Sequence, residues 1–191
     1  MAAVKGGDRI SRYLRDLASR LDDGEILRAG FLEGATYEDG KPVAYIAAIQ
    51  EFGGTFEHPG GTKYKIGDDG MAVFLPADAT EFSGVTAAHS ITIPARPFFR
   101  DAVKENGKRW SKGLGKLIHA GNSVEKALAL TGEVVRADIQ DSIRKFTSPP
   151  LSRNTRKKSA KAGFDKPLID TSHMLNSVDY EVRKDEPAGN S

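Results

Sequence analysis

A chain of 191 residues with 39% hydrophobic and 28% charged side chains is the size of one well-buried domain and has the make-up of a globular protein. No apolar run reaches membrane-spanning length, and Met1-Ala-Ala-Val-Lys-Gly-Gly runs straight into Asp8 and Arg9 rather than into the apolar core of a secretion signal, so synthesis in a cytoplasm is expected. The lack of any cysteine excludes disulfides, thiolate catalysis and cysteine-rich zinc sites.

Asp8 is expected to cap a first helix on which Ile10, Tyr13, Leu14, Leu17 and Leu21 share one face, with Arg12, Arg15, Asp16 and Arg20 outward. Asp22-Asp23-Gly24 ends it, and residues 25–32 read as a strand broken by Gly30. Pro42 opens a short helix through Tyr45, Ile46, Ile49 and Phe52, closed by Gly53-Gly54. Residues 62–66 and 71–75 flank Gly67-Asp-Asp-Gly70, a hairpin pattern that predicts a mostly solvated β-arm. A further strand at 90–93 stops at Pro94, and Pro97 holds the following elbow extended.

From Phe98 a helix is expected to about His119, weakened by Gly107, Gly113 and Gly115. Ser123 caps the strongest helix, whose stripe is Val124, Leu128, Thr131, Val135, Ile139, Ser142 and Phe146, and which ends before Pro149-Pro150. A basic, nearly apolar-free stretch follows and reads as an exposed mobile loop. Asp170-Thr171 then caps a short helix with Met174 and Leu175 inward, and residues 178–183 form a last strand. The fold class that results is α+β, a small, mostly antiparallel sheet packed against the two long central helices. One domain over residues 1–186 carries an inserted β-hairpin arm at 55–92 and the basic mobile loop at 147–166, with a disordered tail at 187–191.

Charge is distributed unevenly along this frame. Between Arg144 and Lys166 eight basic residues face Asp165 alone, whereas residues 55–92 hold Glu57, Asp68, Asp69, Asp78 and Glu81 against Lys63 and Lys65. The histidines His58, His89, His119 and His173 are dispersed, and none sits at metal-ligand spacing. Glu57-His58 could form an acid-base pair but falls in a Gly-Pro-rich stretch, where exposed polar residues are the ordinary reading. Nucleophile-elbow, Walker and dinucleotide-binding patterns are lacking, so neither an enzyme, a metal nor a cofactor is expected.

Arg96 lies between two prolines that pre-aim its guanidinium. Two readings stay open: an internal bridge, for instance to Glu51, or a contact between subunits. Phe98 and Phe99 are neighbours on a helix and cannot both face one core; one should pack inside while the other, exposed, anchors an interface.

Four phrases occur in order: Tyr45-Ile-Ala-Ala-Ile-Gln-Glu-Phe-Gly53, Ile93-Pro-Ala-Arg-Pro-Phe-Phe-Arg100, Ser148-Pro-Pro-Leu-Ser-Arg-Asn-Thr-Arg-Lys-Lys158, and Lys166-Pro-Leu-Ile-Asp-Thr-Ser-His-Met-Leu-Asn-Ser-Val178. Together they resemble the tail-completion (neck) proteins of tailed bacteriophages over residues 42–182. The chain differs from that pattern in the long stretch from Gly54 to Ile91, and in Thr171-Ser172 where the family often has Thr-Gly.

The resemblance implies a structural virion protein, assembled in the host cytoplasm, that forms a cyclic homo-oligomer, a hexamer by expectation. That ring joins head to tail and touches the tail terminator or tail tube and the head connector. The implied subunit interface is Glu51, Phe52, Arg96, Pro97, Phe98 and Phe99. In such a ring Arg153, Arg156, Lys157, Lys158 and Lys161 would face the DNA channel, offering transient, sequence-unspecific phosphate contacts. A tail terminator or head-closure ring protein is the neighbouring alternative, and a free sequence-unspecific DNA-binding protein is the alternative from another class.

Overall fold

The structure, a computed structural model, describes residues 12, 24–68, 70–151, 166–169 and 172–184. Apart from Arg12, the expected first helix lies outside the described residues, as do the basic residues Arg153, Arg156, Lys157, Lys158 and Lys161, the cap Asp170-Thr171 and the tail.

The body is α+β. Strand β1 (Glu25–Phe31) pairs antiparallel with β7 (Val178–Lys184), the two ends of the described chain, with Phe31 opposite Val178 and Glu25 opposite Lys184. Across this ribbon lies α3 (Val124–Lys145), which in turn packs against α2 (Phe98–His119). Helix α1 (Val43–Phe52) and the single turn α4 (His173–Asn176) close the ends of the core.

The sequence explains why α3 is central. Ser123 supplies a side-chain cap, its Oγ accepting from Lys126 N at 3.3 Å, and Arg144 and Lys145 in the last turn oppose the helix dipole. One face carries Ala127, Leu128, Thr131, Gly132, Val135, Ile139 and Ile143, all buried. The lone polar group there is satisfied, because Thr131 Oγ1 donates to Ala127 O at 2.7 Å. Gly132 lets strand and helix close up, since a Cβ at that position would stand 2.2 Å from Tyr180 Cδ2. Ile139, Ile143, Phe98, Val43 and Val178 are the fully buried centre, each contributing about 1.5–3 kcal/mol by leaving water.

Between α1 and α2 the chain leaves the body and returns. Strand β2 (Gly54–His58) pairs antiparallel with β6 (His89–Ile93), and beyond them β3 (Lys63–Ile66) is flanked by β4 (Ala72–Phe74) and β5 (Gly84–Val85). The β3–β4 turn closes through Gly67 N to Met71 O and Gly70 N to Gly67 O, both 2.9 Å. These strands pack on one another, and no helix packs extensively on them.

Three expectations need correction. Sheet structure among the described residues is divided into three small pieces instead of one, and the body ribbon packs chiefly on α3, with α2 reaching β1 through Phe98 and Phe99. Glu57 and His58 stand on a strand, not in a loop: Ser90 Oγ donates to Glu57 at 2.6 Å, and His58 stacks on His89 with ring centroids 5.0 Å apart. Pairing with the strand that starts at His89 on the return path captures this stretch, and Pro59, Gly60 and Gly61 come only after β2 has ended.

Candidate functional site

The phrases ending in Gly53 and beginning at Ile93 meet in space as a clasp at the root of the arm. Gly53 terminates α1 with φ 67°, its N–H donating to Ile49 O at 2.9 Å. A side chain could not be accommodated there: a Cβ would lie 2.6 Å from both Ala95 N and Ile93 O. One residue past Ala95, Arg96 N donates to Gln50 O at 2.7 Å and Arg96 Nη1 to Gln50 Oε1 at 2.5 Å. The elbow is thereby hydrogen-bonded to the last turn of α1 through both main chain and side chain.

The start of α2 poses a problem that the sequence solves at a distance. Its N-cap residue is Pro97, which has no side-chain acceptor for the first free N–H groups. Glu51, buried near the end of α1, performs that task. Its carboxylate accepts from Phe99 N at 2.9 Å, from Arg100 N at 3.2 Å and from Arg100 Nε at 2.7 Å, while Arg100 Nη2 donates to Glu51 O at 3.0 Å. A carboxylate at a helix N-terminus also gains from the helix dipole. The Arg100 guanidinium lies 5.0 Å from the centroid of the exposed Phe52 ring, within cation–π range.

The clasp is tied to the core from below. Ser142 Oγ on α3 donates to Phe98 O at 2.6 Å, and Phe98 meets Phe31 edge to face at 6.1 Å. Phe99 rests against Gly30, where an added Cβ would approach its ring to 3.3 Å.

The six residues expected at a subunit interface therefore come together, but they do not all face outward. Glu51, Arg96 and Phe98 are buried inside their own chain, and Pro97 and Phe99 are half-buried. Phe99 is not the exposed ring expected of an anchor, because the bare Gly30 backbone gives it a place to pack. The outward ring is Phe52, 66% exposed. An Arg96–Glu51 bridge does not form either, since Glu51 is engaged by α2 and Arg100. Arg96 has no carboxylate partner among the described residues, its Nε is buried without a hydrogen bond, and burial alone pulls its guanidinium below the usual arginine range.

Arg100 is the residue that sequence reasoning overlooked. The available signal was a proline at the N-cap position, which leaves the helix start in need of an acceptor from elsewhere.

A groove of about 860 Å³ lies between residues 36–41, α1 and the 167–176 segment, lined by Tyr37, Ile46, Gln50, Leu168 and Met174 among others. Its polar rim is engaged within the chain: Lys41 Nζ pairs with Asp39, and the His173 ring lies beside Tyr37 with Nε2 3.0 Å from Thr36 O. Just beside it Ser172 adopts φ 63°, a left-handed conformation that favours glycine. Among the described residues no group of three or more His, Asp or Glu stands close enough to hold a metal ion, and no helix is long and apolar enough to cross a membrane. Comparison with protein-family models, with curated proteins and with solved structures yields no match.

Proposed function

We propose that this protein is a structural component of a tailed-phage virion that completes the tail or neck, assembling as a ring through which head and tail are joined around the DNA channel. The observation that carries the reading is the clasp. Two of the four phrases that resemble tail-completion proteins form one hydrogen-bonded unit, and its polar groups are spent on holding helix ends and an arm rather than on presenting a reactive group. Glu51 caps, Arg96 ties the elbow to α1, and the arm rooted there packs on little of its own body. An arm held at its root and unpacked along its length suits assembly, in which symmetry repeats one contact into a closed ring.

In this reading the ring is a hexamer whose neighbours are the tail terminator or tail tube on one side and the head connector on the other. The basic residues from Arg153 to Lys161 offer phosphate contacts to passing DNA. The test is the mass of the purified protein by light scattering, alone and after mixing with isolated tails, with negative-stain imaging of the particles. A ring, alone or seated on the tail end, is expected. A monomer that ignores tails and heads but binds DNA with steep salt dependence overturns the reading in favour of a nucleic-acid-binding protein.

A further inference from the structure

Helix α2 carries a regular feature that the clasp does not use. Arg100, Lys104, Lys108, Lys112 and Lys116 recur at every fourth position, and all five are exposed. Such an i, i+4 series forms one continuous ridge on a helix, here about 24 Å long at 1.5 Å per residue. Only Arg100 has an ion-pair partner among the described residues, Glu51 at 2.7 Å. Flanking the Arg100 end of the ridge are two apolar groups open to water, Val103 at 44% exposure, three positions on from Arg100, and Phe52, whose ring lies 5.0 Å from the Arg100 guanidinium.

The arm has the opposite character. Asp68, Asp78 and Glu81 are exposed and make no ion pair among the described residues. Lys63, which could neutralise them, donates instead to Ala77 O at 2.8 Å and Ala79 O at 2.7 Å. Ile66, Val73, Phe74, Phe82 and Val85 are all exposed on strands and turns that no helix covers. Small sheets without a packed face are marginal in water, and exposed apolar groups in that number mark a surface that is normally covered.

We infer that the arm of one copy seats on the α2 ridge of the next copy, its carboxylates on Lys104, Lys108 and Lys112 and its apolar side chains against Val103 and Phe52. The arm makes no extensive contact with α2 of its own chain, so the match is between copies. The contact joins two different surfaces, and repetition of such a head-to-tail contact closes a ring. A phosphate backbone could use the lysines but would leave the neighbouring apolar groups without a purpose, which is why a second copy is the occupant that fits. The inference rests on the ring assembly proposed above and specifies what holds it together.

The test is a charge swap. One variant reverses the ridge (Lys104→Glu, Lys108→Glu, Lys112→Glu) and a second reverses the arm (Asp68→Lys, Asp78→Lys, Glu81→Lys); none of these residues belongs to the clasp. Each variant alone should keep the wild-type melting temperature and run as a monomer by light scattering. An equimolar mixture should reassemble, because a basic arm then meets an acidic ridge and an acidic arm meets a basic ridge in alternation. The wild-type assembly should loosen with added salt.

Assembly that survives both reversals, or that the mixture fails to restore, overturns the contact, as does a wild-type chain that stays monomeric up to its solubility limit and forms no ring on isolated tails. A ridge reversal that abolishes binding of duplex DNA while assembly persists assigns the ridge to DNA and also overturns it. Binding to isolated tails is scored separately. Rings that obey the charge swap but ignore tails and heads keep this contact and discard the neck reading, whereas tail binding by a chain indifferent to the swap does the reverse.

Discussion

The clasp makes Glu51 the residue whose replacement should reveal most. In Glu51→Gln the shape is kept, but the charge is lost and one acceptor becomes a donor facing the start of α2. Losing a helix cap costs about 1 kcal/mol, and leaving a buried N–H unsatisfied costs about 1–3 kcal/mol. The ion pair adds less than its 2.7 Å separation suggests, because the Arg100 side chain is 57% exposed and water can take over its solvation; that share is about 0–1 kcal/mol. The expected loss is therefore about 2–5 kcal/mol, or a melting temperature lower by roughly 4–20 °C for a chain of this size. Arg100→Gln removes only the exposed half of the pair and should cost under about 1 kcal/mol. Urea or thermal unfolding of both variants measures the difference. Equal losses in the two, or a Glu51→Gln loss below about 1 kcal/mol, would refute the remote-cap interpretation.

Further outcomes are expected from the same unfolding measurements. Gly53→Ala should destabilise by about 3 kcal/mol or more, combining a left-handed backbone with a Cβ pressed on Ala95 and Ile93; a change below about 1 kcal/mol would show that the elbow can move aside. Phe98→Ala should cost roughly 3–5 kcal/mol as a buried ring does, Phe99→Ala distinctly less, and Phe52→Ala should leave unfolding nearly unchanged while weakening assembly in light scattering. Arg96→Met should stay within about 1 kcal/mol of the wild type, because removing a buried cation without a carboxylate offsets the hydrogen bond lost at Gln50; a loss above about 3 kcal/mol would show an ionic partner for Arg96. Ser172→Gly should stabilise by about 1 kcal/mol by relieving its left-handed strain, and a loss of stability would mean that the serine side chain has a role of its own.

Much of the body was legible because its signals are local. The stripe on α3, the cap at Ser123, the stop at Gly53 and the inward Met174 and Leu175 all follow from period, cap chemistry and the special geometry of glycine. The hairpin around Gly67 and Gly70 was legible for the same reason. What escaped depends on partners distant in sequence. β2 exists because β6 pairs with it, with 30 residues separating His58 from His89. The half-buried state of Phe99 depends on a glycine in β1, and the true partner of Glu51 could be inferred only by asking who caps a helix that begins after a proline. The six residues singled out from the sequence do come together in space, but which of them face outward was decided by long-range packing.

The closure of the arm at its root has a consequence for how this chain can vary. Gly54 stands opposite Ile93, so everything between them is a loop whose two ends are already held together by the body. Holding ends together costs entropy that grows only with the logarithm of loop length, roughly 0.6 kcal/mol for each doubling. Lengthening, shortening or exchanging the excursion is therefore a change of well under the stability of an ordinary domain, while the helices beneath it feel nothing. Natural variation can rewrite the part of the molecule that meets its surroundings and leave untouched the part that must fold, as a handle can be changed on a tool without recasting the head.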